Sequence, residues 1–498
     1  MTNREISPTG QSNLDEDRSR WRAYAVAVGV ASLTILDLAK INVALPALSD
    51  VLGAGPTELQ LLLSGFVLAF GLFLVPSGRI GDLYSRRFMF LFGLTLFIVA
   101  SSGGMLSPNI QLLVLARILQ GFAAGILMPQ VLGMIQQLFQ GRERGRAFGL
   151  FGAVIGVSTA FGPTIGGLLL GVGSEDFGWR LLFAMNVPLG AVALVMAFRL
   201  LPRDQDKSAA VRDFDLVGTF LLGVTTFALM LPFVQTTGTS VDDPSRWWWL
   251  LASAISGSLF LFWERFYLSK GKIAIVDFDL FAIATFRNGI LVSGFYFAAF
   301  PAIFVILTLF LQRGLGFSPV IAGMVTIPFA LVSAYTSYLS GKVVHDKGRP
   351  LVALGLLTVL AGVGLVVAAT AVVPQPWMPL SVALAMMIAG AGGGAVISPN
   401  QTLMLEDISP KQGGLAGSLA QVGQRIGTAI GLATALSLFF FSLARDDGGA
   451  TELMYQRAFS MSALVVVGLM VAALIFAVVD IRSRRFPEKI AKSDGRRI

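Results

Sequence analysis

The sequence predicts an all-α polytopic membrane protein, and three observations carry that prediction. The chain is 55% hydrophobic and only 13% charged, too little polar surface for a water-soluble domain. Its mean hydropathy is +0.75, and apolar runs long enough to cross a bilayer recur from end to end. The joints between those runs alternate between base-rich and base-poor, as loops on the two sides of a membrane do.

About fourteen spans follow, near 24–48, 58–77, 88–106, 111–137, 147–171, 181–201, 215–236, 247–267, 289–311, 318–341, 351–373, 377–400, 414–442 and 458–480. One set of joints holds Arg79, Arg86 and Arg87, then Arg142, Arg144 and Arg146, then Arg203, Lys207 and Arg212, Lys270 and Lys272, Lys342, Lys347 and Arg349, and Lys411. The tail adds Arg482, Arg484 and Arg485. The opposite set is poor in bases, and its joints at 49–57 and 102–110 have none. The positive-inside rule then puts both termini in the cytoplasm, which an even number of crossings satisfies. The net charge of +8 reflects these inner loops rather than nucleic-acid binding. The polar first twenty residues argue against a cleavable signal. The absence of cysteine excludes disulfides and thiolate metal sites.

Polar linkers near 202–214 and 268–286 set off spans seven and eight as an inserted hairpin, leaving six spans on either side. The expected organisation is an N-terminal tail (1–23), a six-helix bundle (24–201), linkers and hairpin (202–286), a second six-helix bundle (287–480) and a C-terminal tail (481–498). The halves echo one another. Span two ends in a glycine–aspartate–base series at Gly78, Gly81, Asp82, Arg86 and Arg87, and span ten ends in Gly341, Asp346, Lys347 and Arg349. An internal repeat of this kind is the mark of transporters with a site between two bundles.

Two charges lie inside the first apolar run. Asp37 and Lys40 are three residues apart, on one helix face. A charge near the bilayer centre costs about 2.5–3.5 kcal/mol on insertion scales, so it faces a bundle interior or a watery hollow. The pair fits either a structural ion pair or a titratable carboxylate tuned by an ammonium. Arg117 in span four needs a partner for the same reason, and Asp37 is the candidate; Gln120, one turn on, shares its face. In span thirteen, Gln421, Gln424 and Arg425 form a second polar group suited to substrate contact or to helix–helix hydrogen bonding. Asp213 and Asp215 are expected to cap span seven, and Glu264 and Arg265 to snorkel from the end of span eight.

Residues 78–87 resemble the cytoplasmic loop signature of the major facilitator superfamily, specifically its fourteen-helix drug:proton antiporter branch. Arg117, Gln120, Gly121 and Gly125 resemble its second signature, in which the arginine is linked to proton transfer. Gly156, Gly162, Pro163, Gly166 and Gly167 are similar to the antiporter signature. Trp179, Asn186 and Pro188, and the run 42–46, resemble the same branch. Lys40 departs from it, standing where many members carry an apolar residue.

The resemblance implies two six-helix bundles plus the hairpin, and a proton-coupled exporter of amphiphilic small molecules working by alternating access in the bacterial cytoplasmic membrane. The buried charges add the expectation that Asp37 is the main proton site, tuned by Lys40 and Arg117. The expected substrate contacts are Asn42, Phe66, Gln120, Tyr296, Asn400, Gln421, Gln424 and Arg425. Gating falls to Gly78, Gly81, Asp82, Arg86, Arg87 and Asp346, with Arg86 and Arg87 pairing carboxylates, and packing to Gly162, Pro163, Gly166 and Gly167. The alternatives are a carrier of anionic or lipid-like solutes using Lys40, Arg117 and Arg425, and a non-transporting membrane sensor. No enzyme activity is expected, for want of a nucleophile–base pair. No cofactor or metal is expected either; the proton gradient is the energy source. The expected partners are the bilayer, protons and a small-molecule substrate, not nucleic acid, with the monomer as the functional unit.

Overall fold

The structure is a computed structural model that describes residues 8–172, 175–202, 215–236, 242–272, 274–443 and 451–494. Arg203, Lys207, Arg212 and Asp213 lie outside the described residues. The first half contains α1 (Pro8–Lys40), α2 (Leu45–Leu52), α3 (Pro56–Leu83), α4 (Arg86–Met105), α5 (Ile110–Leu138), α6 (Gly141–Val172), α7 (Glu175–Ala184) and α8 (Asn186–Leu200). The hairpin is α9 (Leu216–Val234) and α10 (Trp248–Ser269). The second half contains α11 (Ala284–Leu309), α12 (Pro319–Met324), α13 (Ile327–Lys347), α14 (Arg349–Val372), α15 (Met378–Met404), α16 (Gly413–Leu443) and α17 (Glu452–Asp494).

Thirteen helices or helix pairs among the described residues are long and apolar enough to span a membrane. The fourteenth expected span, α10, is helical over 22 residues, but its tryptophans, its serines and the polar pair Glu264 and Arg265 lower its hydropathy. It packs on α9 through hydroxyls: Ser253 donates to the Thr225 carbonyl at 2.9 Å, and Thr225 and Ser256 are 3.0 Å apart. Three expected spans are broken. The first passes from α1 through a 3-10 turn, Ile41–Ala44, into α2. The sixth breaks between α7 and α8, just before Pro188, and the tenth breaks between α12 and α13, just before Pro328. Proline lacks the amide that would continue the helix and crowds the preceding turn.

The halves meet in a swapped pattern. The second helix of the first half (α3) packs on the fifth of the second half (α16), and the fifth of the first (α6) packs on the second helix of the second half (α13). This seam is closed at the base-rich end by small residues. A methyl on Gly341 of α13 would come within 2.5 Å of the Gly145 carbonyl oxygen on α6, and one on Gly78 of α3 within 2.7 Å of the Gly414 carbonyl oxygen on α16. Such close backbone approach is how helices associate in lipid.

Asp82 locks the first of these contacts. Its carboxylate accepts from the Gly414 and Leu415 amides, at 3.1 and 2.8 Å, capping α16 in the opposite half. Arg86 holds Asp82 at 2.8 Å and donates to the Gly133 carbonyl at 2.7 Å and, across the seam, to the Pro410 carbonyl at 2.5 Å. Arg87 has no carboxylate partner among the described residues, where one was expected. It reaches the Phe198 carbonyl at the end of α8, within its own half, because α8 ends beside the start of α4 and offers its unpaired carbonyls there. Asp346 forms the matching lock, accepting from Arg142 at the start of α6 at 2.7 Å. Gly81 is covered by the Gln130 amide side chain.

Candidate functional site

About two turns into α5 from the base-poor end, Arg117 meets Asp37 of α1. Arg117 donates to one carboxylate oxygen at 2.5 Å. The Lys40 ammonium lies 3.1 Å from the other. Asn186, the first residue of α8, donates to that second oxygen at 2.6 Å while its carbonyl accepts from Lys40 at 2.7 Å. Asp37 and Lys40 are each 1% exposed, Arg117 and Asn186 0%. One carboxylate thus balances two cations, and the site carries a net positive charge. Four spans contribute to it, counting α4 through Ser101, which accepts from Gln120 at 2.8 Å.

The local backbone explains the placement. α1 stops being α-helical at Lys40. The signature glycines of α6 press on this spot: a methyl on Gly162 would meet Ala39 Cβ at 2.3 Å, and one on Gly166 the Lys40 carbonyl at 2.7 Å. Gly162 and Gly166 therefore seat α1 against α6, as their spacing implies. Pro163 and Gly167 are on the exposed face, and Gly167 has no neighbour to pack on among the described residues, because residues one position further along turn about 100° away from the contact.

Several expected substrate contacts sit elsewhere. Gln120 is fully buried and accepts from Arg117 at 2.9 Å, so it orients the arginine instead of facing a hollow. Phe66 is 1% exposed and covers the Arg117 guanidinium, 4.5 Å from ring centre to carbon. Asn400 is buried near the base-rich end, bound to Arg349 and to the Gly289 carbonyl. Tyr296 is 1% exposed and stacks on Phe300. In each case the helical face carrying the residue is packed against a neighbour, which sequence periodicity does not distinguish from a face toward a cavity. Asn42 lies in the turn Ile41–Ala44, and its side chain is outside the described residues. Gln421, Gln424 and Arg425 do lie on one stretch of α16, with Gln424 donating to Ser293 at 2.8 Å.

Sequence reasoning missed a second buried ionic cluster. Arg349 pairs with Asp480 of α17, both side chains 1% exposed, while Asn288 of α11 donates to Asp480 at 3.0 Å. Arg349 also binds Asn400 and the Thr285 carbonyl. The available signal was a lone acid at the end of the last apolar run. Glu264 is likewise not snorkelling: it is fully buried and accepts from the Ile275 amide at 3.2 Å, because the linker after α10 folds back over it. Asp215 does cap α9, accepting from the Gly218 amide at 2.8 Å.

The overall fold recurs in other proteins. Residues 27–432 match the family model described as the Major Facilitator Superfamily. The chain belongs to that superfamily. It is therefore a multi-pass membrane transporter and not an enzyme. It is 30% identical over 451 residues to a probable actinorhodin transporter of Streptomyces coelicolor, covering 88% of this chain and 76% of that one. It is 32% identical over 420 residues to the puromycin resistance protein pur8 of Streptomyces alboniger (84% and 81% covered). With the multidrug resistance protein Stp of Mycobacterium tuberculosis it shares 28% over 414 residues (82% and 74%). These superfamily relatives agree with the drug-exporter branch that the motifs resemble. Among solved structures, the human organic anion transporter MFSD10 superposes with TM-score 0.66 at 14% identity, covering 92% of this chain and 99% of that one. The proton:xylose symporter XylE superposes with TM-score 0.61 at 16% identity, over 91% and 95%. At these identities both speak to the fold.

Proposed function

We propose that the protein is a proton-coupled exporter of amphiphilic small molecules in the bacterial cytoplasmic membrane, working by alternating access as a single chain with both termini in the cytoplasm. The observation that carries this reading is Asp37. It is a carboxylate in the membrane interior, held by two cations and an amide, at the point where α1 loses its regular helix. Protonation of Asp37 removes the charge on which Lys40, Arg117 and Asn186 converge, and so loosens α1 from α5 and α8 together. A proton moving inward gains about 2.3 kcal/mol per 100 mV, enough to drive export against a gradient.

The distribution of bases supports the orientation, with the base-rich loops in the cytoplasm. In that orientation the locks at Asp82 and Asp346 close the seam on the cytoplasmic side, and export requires them to open once per cycle. The relatives named as resistance proteins support the direction of transport, since moving a toxic compound outward confers resistance.

The test is transport by purified protein in liposomes with a pH-sensitive dye inside. Wild type is expected to move protons when an amphiphilic substrate is added, and Asp37→Asn to bind substrate without moving protons. Equal proton movement in Asp37→Asn would overturn the assignment of the proton site. Proton-independent export by wild type would overturn the coupling itself.

A further inference from the structure

Three buried arginines of the bundles have carboxylate partners: Arg86 with Asp82, Arg117 with Asp37 and Arg349 with Asp480. Arg425 differs. It has no ion pair among the described residues; its buried Nε, like that of Arg117, has no hydrogen-bond partner among them. It is only partly buried, and it lies about 18 Å along α16 from Gly413, near mid-membrane. Its guanidinium carbon stands 4.6 Å from the centre of the Phe70 ring on α3, in the opposite half.

The backbone aims it there. A methyl on Gly427 would meet the Gly294 carbonyl of α11 at 2.3 Å, and Gly423 packs on Ile290 of the same helix. Residue 425 lies two positions from each of these glycines, about 200° around the helix, so it points away from α11 and across the seam. Phe70 is fixed in turn, because a methyl on Gly125 of α5 would meet the Phe70 carbonyl at 2.7 Å. Phe70 also touches Phe66 edge-on at 6.1 Å, and Phe66 covers Arg117. Two guanidiniums, one per half, thus rest on a pair of rings one turn apart on α3.

We propose that Arg425 is the anion-receiving group of the substrate site, and that the transported amphiphiles carry an acidic group. The proposal rests on the exporter reading and narrows its substrate class. A guanidinium whose carbon lies 4.6 Å from a ring centre can still donate through its terminal nitrogens to a carboxylate or similar oxyanion as a bidentate pair. An unpaired cation in the membrane interior is expensive, and an acidic ligand removes that expense on binding. Phe70, itself 1% exposed, backs the guanidinium without facing the ligand, and Gln424, tied to Ser293, borders Arg425 on α16. Lys40 and Arg117 cannot serve this role, since both are engaged by Asp37 and fully buried.

The test is equilibrium binding to the full chain in detergent, using anthracene-9-carboxylate, its methyl ester and 9-aminomethylanthracene. Binding requires no gradient, so its outcome is independent of whether coupling at Asp37 is correct. The acid is expected to bind about ten-fold more tightly than the ester, and the amine most weakly. Arg425→Gln should bring acid and ester to equal affinity while still binding the ester, which also reports that the variant is folded. Arg425→Lys should keep part of the preference, and Asp37→Asn all of it. Equal binding of acid and ester by wild type, no binding of the acid, or a preference that survives in Arg425→Gln would each overturn the proposal.

Discussion

The two halves each bury an ionic cluster, and the clusters are built to opposite ends. In the first half, Asp37 is shared by Lys40 and Arg117. The charges do not balance, and the cluster sits where α1 ends and where α7 gives way to α8. In the second half, Arg349 and Asp480 pair one to one, tied to Asn288, Asn400 and the Thr285 carbonyl, near the ends of regular helices. An unbalanced cluster on broken helices has something to change when a proton arrives. A balanced one among unbroken helices has only something to lose. The difference separates a switch from a clamp, although composition makes them look alike.

The largest expected effect breaks the clamp. Arg349→Ala leaves Asp480 charged and buried, and should lower stability by about 3–5 kcal/mol, read as a fall in apparent unfolding temperature in detergent. The double variant Arg349→Met, Asp480→Leu should recover most of that loss, because two well-packed apolar side chains replace a neutral pair. If the double variant instead loses transport at full stability, the clamp is a second switch and the contrast fails.

Asp37→Asn comes next. It also leaves buried cations unmatched, but the new amide is the same size and still offers Arg117 an oxygen acceptor, and Lys40 can shed its proton, whereas Arg349→Ala removes the whole partner of Asp480. The stability loss should therefore be smaller than that of Arg349→Ala in the same assay, while proton coupling falls to background. A loss as large as the clamp's would mean that Lys40 does not relieve the charge.

How much of this was legible in the sequence depended on where each charge fell. Asp37, Lys40 and Arg117 stood out because an ionisable residue inside an apolar run demands an explanation. Asp82 stood out through its spacing from glycines and bases. Arg349 and Asp480 did not, because charges at the ends of spans are ordinary, and Arg349 read as one more basic loop residue. Asn186 was visible as part of a motif, but nothing in the chain announces that its amide bridges Asp37 and Lys40, since that contact joins residues 149 and 146 positions apart. Phe66, Gln120 and Asn400 were read as cavity walls because a helical repeat reports which residues share a face, not what that face meets.

The seam offers a milder version of the same contrast. Gly341→Ala puts a methyl against the Gly145 carbonyl, and overpacking of this kind costs about 1–3 kcal/mol. The penalty falls only on the state in which the seam is closed. Accessibility of a thiol introduced at Ser337, which faces Gly152 across the seam, should rise in this variant without a matching fall in overall stability.

The smallest effect belongs to the outer lock. Arg142 and Asp346 have side chains 72% and 53% exposed, against 8% and 3% for Arg86 and Asp82. Water already solvates the exposed pair, so Arg142→Ala should change stability and thiol accessibility by no more than about 1 kcal/mol, and less at high salt. Asp82→Ala should do more, because it removes the cap of α16, worth about 0.5–2 kcal/mol, and strands Arg86 beside the seam. Two aspartates at matching places in the repeat would then differ in effect because one is buried against a helix terminus and the other faces solvent. Equal effects in the thiol assay would mean that repeat position, not burial, sets the strength of the lock.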